Sequence, residues 1–575
     1  HFQHAGHEIQ KRFARMIEAW YQAEELLRES PMPRLLSGVA FAAILVASQA
    51  QAGIVTLGDG EINPASGADG GLIEAGRVSS GSVTIDGGDV VTITSGTSPD
   101  ELTARPKIDV GDGGTGVVTV TGAGTTVNLG GTNSGSKLEV GTFAGSYGTL
   151  EVLDGATINL TDDGPIAGDD NENIILQFGE DQADGALIMD NGTINATGYS
   201  RVGMLAGVTG NTAIAGNGVI NMTDSSISMT NLGDNELSFM IIGDQTNGSG
   251  HVDLVNSDIV STTPNDRAFF ALGTDGGNGS VSLTAASELS MSAERVDVVL
   301  GEGSGAVAAL SADGSSSVRL VSTGEVNLEI GQSAGSNTTV ALTDGSTFEV
   351  DGSFGRTQIG SDALTTTSGS GFLSVDDSIF DSAVGIQVGS AFSGPNAQTG
   401  EINLNGGTVR APEIVIGNGG SITGTGTVDA VTTAISGGFL SPGFSPGMLE
   451  FTGDLQLNSG SLFFEVGGTG PTMFDSILVG GSLLATDVFD IEISFAEGFL
   501  PSETNTFSLF EAASVDANFF SFANFTTNSP LTFSSSDGVV SVSFDDVATV
   551  PVPAGLPLLI AGLGGLFLLG RWRRL

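Results

Sequence analysis

A short unit of the form apolar-x-apolar-Gly recurs along the chain and constrains its fold more than any other feature. The unit occurs at Ile108–Gly111 and at Leu138–Gly141. Later copies end at Gly179, Gly243, Gly273, Gly301, Gly331, Gly360, Gly389 and Gly417, with a weaker copy at Val202-Gly203. From Gly243 onward the steps between copies are 30, 28, 30, 29, 29 and 28 residues. A fixed period of this length indicates a repeat architecture.

Most repeats contain two further alternating runs, such as Val118-Thr119-Val120 and Val127-Asn128-Leu129. The flanks of each run are apolar, so a period of two places them on one buried face. A glycine after the first run lets the backbone turn a corner with positive φ. Three short strands per repeat of about 29 residues predict an all-β chain, a single-stranded parallel β-helix or β-solenoid, over residues 106–431.

The two ends of the predicted solenoid differ from its middle. Residues 53–105 are expected to form an N-terminal cap and the first coil. Residues 432–548 contain 17 of the 31 phenylalanines and open with two Ser-Pro-Gly sequences, at Ser441 and Ser445. This segment predicts a C-terminal β cap, since the terminal repeats of a solenoid must close its core. It resembles the region that ends many autotransporter-type β-helix passengers.

The N-terminal segment carries an export pattern. Arg34 precedes an apolar run from Leu35 to Ala47, and Ala50-Gln51-Ala52 has the small-x-small form of a cleavage site. Residues 32–52 are therefore predicted to be a signal peptide, and residues 1–31 an upstream mis-translated or disordered segment. The alternative is an internal transmembrane helix that follows a cytoplasmic arm, for which the apolar run is short.

The C-terminal segment, residues 549–575, has three parts. Val550, Pro551, Val552, Pro553 and Ala554 precede an apolar run over 555–570, and three arginines lie in the last five residues. This pattern resembles the PEP-CTERM class of sorting signals in its VPLPA-type variant, with Val552 where leucine is usual. The resemblance implies processing by an exosortase, a Gram-negative host, a transient inner-membrane anchor through 555–570, and display or release. The alternative is a tethered protein whose C-terminal helix is never removed.

Charge excludes some partners. The whole chain has a formal charge of −48 and no cysteine. Between the two terminal segments there are 10 basic and 61 acidic residues, and 10 − 61 gives −51. Such a surface repels nucleic acid and anionic lipid, so neither is expected as a partner.

The sequence offers little for catalysis. His251 is the only histidine after the predicted signal peptide, so neither a catalytic triad nor a histidine metal site is expected. A polysaccharide-active β-helix enzyme, a lyase or a hydrolase, is the enzymatic alternative, and it would need paired carboxyl groups in a cleft. Aromatic platforms for sugars are scarce, because between the terminal segments the only tyrosines are Tyr147 and Tyr199 and there is no tryptophan. The prediction is a non-enzymatic protein.

An acidic interruption of the repeat is the one candidate for a metal. It contains Asp162, Asp163, Asp169, Asp170 and Glu172. Carboxylate-rich loops can bind calcium, although the spacing here is not that of an EF-hand. The competing interpretation is a hydrated acidic loop, and no other cofactor is expected.

These observations predict a secreted or surface-displayed structural or adhesive protein of the bacterial envelope or biofilm matrix. The expected partners are an exosortase-type processing enzyme, extracellular polysaccharide and neighbouring surface proteins.

Overall fold

The computed structural model describes the chain between residues 53 and 544, apart from 64–70, 96–104, 132–134, 163–172, 210–214, 235–236, 334, 361–368, 391–398, 444–445, 471, 497–498, 500–501, 503–504 and 528–530. The predicted segments 1–31, 32–52 and 549–575 lie outside these residues.

The described residues form forty strands and one short helix. The strands are β1 (Ile54–Gly58), β2 (Gly60–Asn63), β3 (Leu72–Ala75), β4 (Ser80–Ile85), β5 (Val90–Thr94), β6 (Lys107–Val110), β7 (Thr115–Thr121), β8 (Thr126–Gly131), β9 (Lys137–Val140), β10 (Tyr147–Leu153), β11 (Thr157–Asp162), β12 (Asn173–Glu180), β13 (Asp184–Asp190), β14 (Thr193–Gly198), β15 (Arg201–Val208), β16 (Asn217–Thr223), β17 (Ser226–Asn231), β18 (Ser238–Asp244), β19 (Ser249–Val255), β20 (Asp258–Thr274), β21 (Asn278–Thr284), β22 (Glu288–Leu300), β23 (Val307–Ala312), β24 (Ser317–Ile330), β25 (Asn337–Leu342), β26 (Thr347–Asp351), β27 (Phe354–Ile359), β28 (Ser370–Asp376), β29 (Ile379–Ser382), β30 (Ile386–Val388), β31 (Thr399–Ile416), β32 (Gly420–Pro442), β33 (Met448–Phe451), β34 (Asp454–Val466), β35 (Ser476–Ala485), β36 (Phe489–Phe495), β37 (Thr506–Val515), β38 (Ala523–Thr527), β39 (Leu531–Ser536) and β40 (Val539–Phe544). The helix, α1, spans Phe519–Phe522.

These strands build a parallel β-solenoid of about 12 turns with about 30 residues per coil, which confirms the predicted fold class. Each coil contributes one strand, or one part of a long strand, to each of three walls. The first wall contains β3, β6, β9, β12, β15 and β18, the second begins with β4, β7, β10 and β13, and the third begins with β5, β8, β11 and β14. In the middle of the second wall, Ser249, Asn278, Val307 and Asn337 are successive register partners, 29, 29 and 30 residues apart.

The apolar flanks of the predicted strands point inward and form the core. Val118, Val120, Val127 and Leu129 are all 0% exposed. One continuous hydrophobic cluster extends from Ile73 to Val542 along the interior. Because burial of one such side chain contributes roughly 1.5–3 kcal/mol, the stacking of coils on one another supplies the main stabilising energy.

The corner between the first and second walls is built from paired glycines. Gly243 has a φ of +70°, and a Cβ atom on it would lie 1.9 Å from the Asn278 carbonyl oxygen and 2.7 Å from the Gly279 nitrogen. The same contact recurs in the pairs Gly111–Gly148, Gly141–Gly185, Gly179–Gly218, Gly207–Gly250, Gly331–Gly371, Gly360–Gly400 and Gly389–Gly420. In these pairs the two walls approach with no side chain between them. Opposite Gly273 and Gly301 the second column carries Ala308 and Thr338 instead of glycine.

One predicted corner is wrong. The sequence pattern places a weak copy of the corner at Val202-Gly203, but Gly203 lies inside β15, between its register partners Ile175 and Phe239. The turn occurs instead at Gly207, whose φ is +66°. Register decides this, because Phe178 before the Gly179 corner pairs with Ala206 rather than with Val202.

Buried serines form a hydrogen-bonded column at the corner between the second and third walls. The Ser225 N–H donates to Ser257 Oγ (3.0 Å), Ser257 N–H to Ser287 Oγ (3.0 Å), and Ser287 N–H to Ser316 Oγ (3.2 Å). All four side chains are at most 6% exposed. Each hydroxyl therefore satisfies a backbone donor of the preceding coil that water cannot reach.

Antiparallel strands occur at both ends of the described structure. β1 pairs with β4 and β2 with β3, while β40 pairs with both β37 and β39. Within residues 432–544 parallel pairing continues through β38, and phenylalanines fill the interior. The Phe464 and Phe510 ring centroids, for example, are 5.2 Å apart in an edge-to-face arrangement. The boundaries chosen for the N-terminal and C-terminal caps stay predictions.

We expect Gly243→Ala to destabilise the protein by about 2–5 kcal/mol. The positive φ costs roughly 1–2 kcal/mol, and the backbone collision adds an overpacking cost of about 1–3 kcal/mol. Gly305→Ala is the matched control, because Gly305 has a φ of +82° but a Cβ atom on it would meet no described atom within 4 Å. Urea unfolding followed by circular dichroism measures both, and equal losses would contradict the role of close approach.

We expect Ser287→Ala to cost about 1–3 kcal/mol, because the buried Ser257 N–H loses its acceptor. Ser282→Ala is the control, since Ser282 lies on β21 with its side chain facing outward. Thermal unfolding of the two variants tests the column, and a loss for Ser287→Ala no greater than that for the control would refute it.

Candidate functional site

Of the residues predicted as a calcium loop, only Asp162 lies within the described structure. It ends β11, is 6% exposed, and its Oδ2 atom accepts a hydrogen bond from the Tyr199 N–H at 3.4 Å. Asp163, Asp169, Asp170 and Glu172 lie outside the described residues, as do the predicted processing residues Ala50, Ala52, Val550, Pro551, Val552, Pro553 and Ala554. Calcium binding by the acidic loop stays a prediction.

His251 lies on the outer face of the second wall. Its Nε2 atom is 2.7 Å from Asp253 Oδ2, and its Nδ1 atom is 2.6 Å from Ser280 Oγ on the next coil. The His251 side chain is 41% exposed. These contacts link two coils across the surface.

The basic side chains are engaged by acids. Ten basic residues lie between positions 53 and 548. At least eight of them lie within 4.0 Å of a carboxylate oxygen of a described residue, namely Arg77, Lys107, Lys137, Arg267, Arg295, Arg319, Arg356 and Arg410. Positive charge on the described surface is therefore used mainly for contacts within the solenoid.

A central charged cluster on the first wall consists of Arg267, Arg295, Asp297, Glu325 and Asn327. Nε of Arg267 and Nε of Arg295 both donate to Asp297 Oδ2, at 2.5 and 2.6 Å. Asn327 Nδ2 donates to Asp297 Oδ1 at 2.8 Å. Burial alone would raise the pKa of Asp297, but these hydrogen bonds and the arginine charges hold that pKa below its usual value.

An N-terminal charged cluster on the same wall consists of Glu74, Lys107, Asp109, Lys137 and Glu139. Lys107 Nζ lies 2.6 Å from Asp109 Oδ2 and 3.3 Å from Glu139 Oε2, and Lys137 Nζ lies 3.0 Å from Glu139 Oε1. Burial raises the pKa of Asp109 to about 6 despite Lys107. Burial would also raise the pKa of Glu139, but the two lysines lower it overall.

Two neighbouring carboxyl groups with pKa values pushed in opposite directions are the arrangement that general acid–base catalysis uses. Asp109, however, is only 2% exposed. Its own ammonium partner, Lys107, also covers one carboxylate oxygen. The geometry therefore gives a polymeric substrate little access to Asp109, and it is better suited to joining coils.

A column of acids follows the corner glycines on alternate coils. Its members are Asp112, Glu180, Asp244 and Glu302, separated by Thr142, Val208 and Thr274. Burial raises the pKa of each of the four carboxyl groups. Since coils are ~4.8 Å apart, alternation keeps these anions about two coils from one another. The sequence signal for this column, which the strand pattern alone misses, is the residue directly after each corner glycine.

Uncharged polar groups also stack along the outer faces. Asn159 Nδ2 donates to Asn128 Oδ1 at 2.8 Å, and Asn195 Nδ2 donates to Asn159 Oδ1 at 3.0 Å. This asparagine column on the third wall presents amide groups at the spacing of the coils.

A shallow pocket of about 310 Å³ lies on the third wall around Arg410, Pro412 and Val431. Arg410 Nη1 lies 3.0 Å from Asp381 Oδ2, and its Nε lies 2.8 Å from Asp429 Oδ2. The one guanidinium group that lines this pocket is thus held by carboxylates from the coils on either side.

The described residues contain no helix that is long and apolar enough to cross a membrane. The predicted span over 555–570 lies outside them. Comparison of the sequence with protein-family models gives no match, and comparison with curated proteins gives none either.

We expect Arg295→Gln to destabilise the protein at pH 7 by about 1.5–3 kcal/mol, because the buried Asp297 loses charged hydrogen bonds. Arg319→Gln is the control; its partner Glu349 is 40% exposed, and an exposed pair contributes below about 1 kcal/mol.

The effect of Arg295→Gln should also depend on pH. The pKa of Asp297 is lowered by folding, so its contribution to stability is present above the unfolded pKa and is lost as pH falls through the folded value. The difference from native should therefore shrink below about pH 4. Urea unfolding at pH 7, 5 and 3 measures it, and a pH-independent difference would contradict the assignment.

Proposed function

We propose that this chain is a secreted or surface-displayed structural or adhesive protein of a Gram-negative envelope or biofilm matrix. The observation that carries the proposal is an acidic, repetitive exterior in which at least eight of ten basic side chains already pair with acids. Such a surface favours solubility and leaves little positive charge for nucleic acid or anionic lipid.

The partners that fit this exterior are extracellular polysaccharide and neighbouring surface proteins. Amide groups repeat at the coil spacing in the column Asn128, Asn159 and Asn195, and amides both donate and accept hydrogen bonds. Sugar hydroxyl groups also both donate and accept hydrogen bonds, so an amide group can pair with them in either role. A neutral polymer fits better than an acidic one, because like charges repel unless a divalent cation bridges them.

Export and sorting are part of the proposal. The small-x-small sequence Ala50 to Ala52 supports signal-peptide cleavage, and the motif from Val550 to Ala554 supports recognition by an exosortase-type enzyme. Under this proposal the chain contacts the inner membrane only through residues 555–570, before processing.

Mass spectrometry of the native protein from surface and culture fractions of the source bacterium tests sorting. We expect a mature chain that starts at Gly53, ends near Val550 and lacks residues 555–575, because both terminal segments are processed. An intact chain that retains residues 555–575 in the inner membrane would contradict the proposal and favour the tethered alternative.

The alternative function, a polysaccharide-active enzyme, is favoured by one observation, the opposite pKa shifts of Asp109 and Glu139. Incubation of the purified protein with neutral and acidic polysaccharides distinguishes the two. A structural or adhesive role predicts co-sedimentation with a polymer and no new reducing or unsaturated ends. Formation of such ends by the native chain, and their loss in Asp109→Asn, would favour the enzyme.

A further inference from the structure

Three carboxylates converge at the N-terminal end of the first wall. Glu74 in β3 and Asp109 in β6 are register partners on adjacent coils, and Asp112 follows the Gly111 corner. One oxygen from each of the three lies within 4.8 Å of an oxygen from each of the others. Glu74 is 5% exposed and Asp109 is 2% exposed, while Asp112 is partly buried. Two of the three carboxyl groups are therefore shielded from solvent, and Asp112 is the most accessible of them.

One carboxylate oxygen of this group has no hydrogen-bond partner among the described residues. Lys107 Nζ donates to Asp109 Oδ2 at 2.6 Å, but Asp109 Oδ1 is buried and unpartnered. A buried anionic oxygen without a partner has lost its hydration without a replacement, so native structures rarely leave one unsatisfied. The unpartnered oxygen therefore favours binding of a cation or of a group that donates a hydrogen bond.

The nearby cations do not balance the charge. Lys107 and Lys137 both contact Glu139, and Lys107 also contacts Asp109. Arg77 reaches Glu74 only at 3.7 Å, with a side chain that is 64% exposed. Glu74, Asp109, Asp112 and Glu139 therefore exceed Lys107 and Lys137 by two negative charges, and by one when the exposed Arg77 is also counted.

We propose that Glu74, Asp109 and Asp112 bind a divalent cation of the calcium type. The three ligands are hard carboxylate oxygens, and neither sulfur nor imidazole is present to favour zinc. Lys107 keeps its contact with Asp109 Oδ2, and the cation takes Oδ1. Because Glu74 belongs to one coil and Asp109 and Asp112 to the next, the ion joins the first coils of the solenoid. The proposal is separate from the acidic loop at Asp162 and does not depend on the proposed function.

Hydrogen–deuterium exchange of the full chain, stripped of metal with EDTA, locates binding within this highly acidic protein. Added CaCl₂ alone should slow amide exchange at least about threefold in peptides that cover 72–75 and 107–112, because ligation suppresses local opening. MgCl₂ at the same concentration should protect less, because Mg²⁺ dehydrates reluctantly and demands near-octahedral geometry.

Asp109→Asn and Asp112→Asn should each raise the calcium concentration for half-maximal protection at least about tenfold. Asp190→Asn removes an exposed carboxylate from the end of β13 and should leave that concentration unchanged. If Asp109→Asn fails to fold, Asp112→Asn decides the outcome, since it leaves the Lys107–Asp109 contact intact. Absence of calcium protection in these peptides, or equal protection in the two site variants and the control, would overturn the proposal.

Discussion

The close approach of two backbones at the corner between the first and second walls is the constraint on which the rest of the structure depends. At Gly179 a Cβ atom would lie 1.9 Å from the Asn217 carbonyl oxygen, and at Gly218 it would lie 2.3 Å from the Phe178 carbonyl oxygen. Glycine on both sides lets most coils turn directly above the previous one; opposite Gly273 and Gly301 the second position is taken by Ala308 and Thr338. This turn fixes the register, and the register aligns inward side chains into one core and outward side chains into columns.

In-register stacking creates an electrostatic problem that the chain solves in two ways. Equivalent acids on adjacent coils would lie ~4.8 Å apart and repel one another. The corner acids avoid this by occupying alternate coils. Elsewhere a basic side chain lies between acids of different coils, as Lys107 does between Asp109 and Glu139, and as Arg410 does between Asp381 and Asp429. The few basic residues thus stabilise the stack, which leaves the outer surface strongly acidic.

The repeating glycine pattern was enough to predict the coil length, the three strands and their inward residues, because glycine corners and period-two alternation are local signals. It failed at Gly203, where a glycine inside a strand resembled a corner and only pairing with the neighbouring coil shows the difference. The serine column also has a local signal, separate from the glycine pattern: Ser257 and Ser287 each lie two residues before the first inward residue of a third-wall strand.

The Glu74–Asp109–Asp112 group was not predictable in the same way. Asp109 occupies the middle position of the predicted run Ile108–Gly111, where alternation assigns a solvated side chain, and no strand was predicted at Glu74. Glu74 is 5% exposed and Asp109 is 2% exposed, and the alternation gives no sign of this burial. Their proximity follows only from the register of β3 with β6, across a gap of 35 residues between the two acids.

Distances between spin labels test the in-register stack most directly, since the chain has no cysteine and two introduced cysteines are the only labelling sites. Thr119, Asp253, Ser282 and Ser311 lie in one outward column of the second wall. Asp253, Ser282 and Ser311 are four, five and six coils from Thr119. Pulsed electron–electron double resonance should therefore give distances of about 19, 24 and 29 Å from a label at Thr119 to labels at Asp253, Ser282 and Ser311 in turn. This is a rise of about 5 Å per coil. Distances that do not increase by a constant step along this column would contradict the stack.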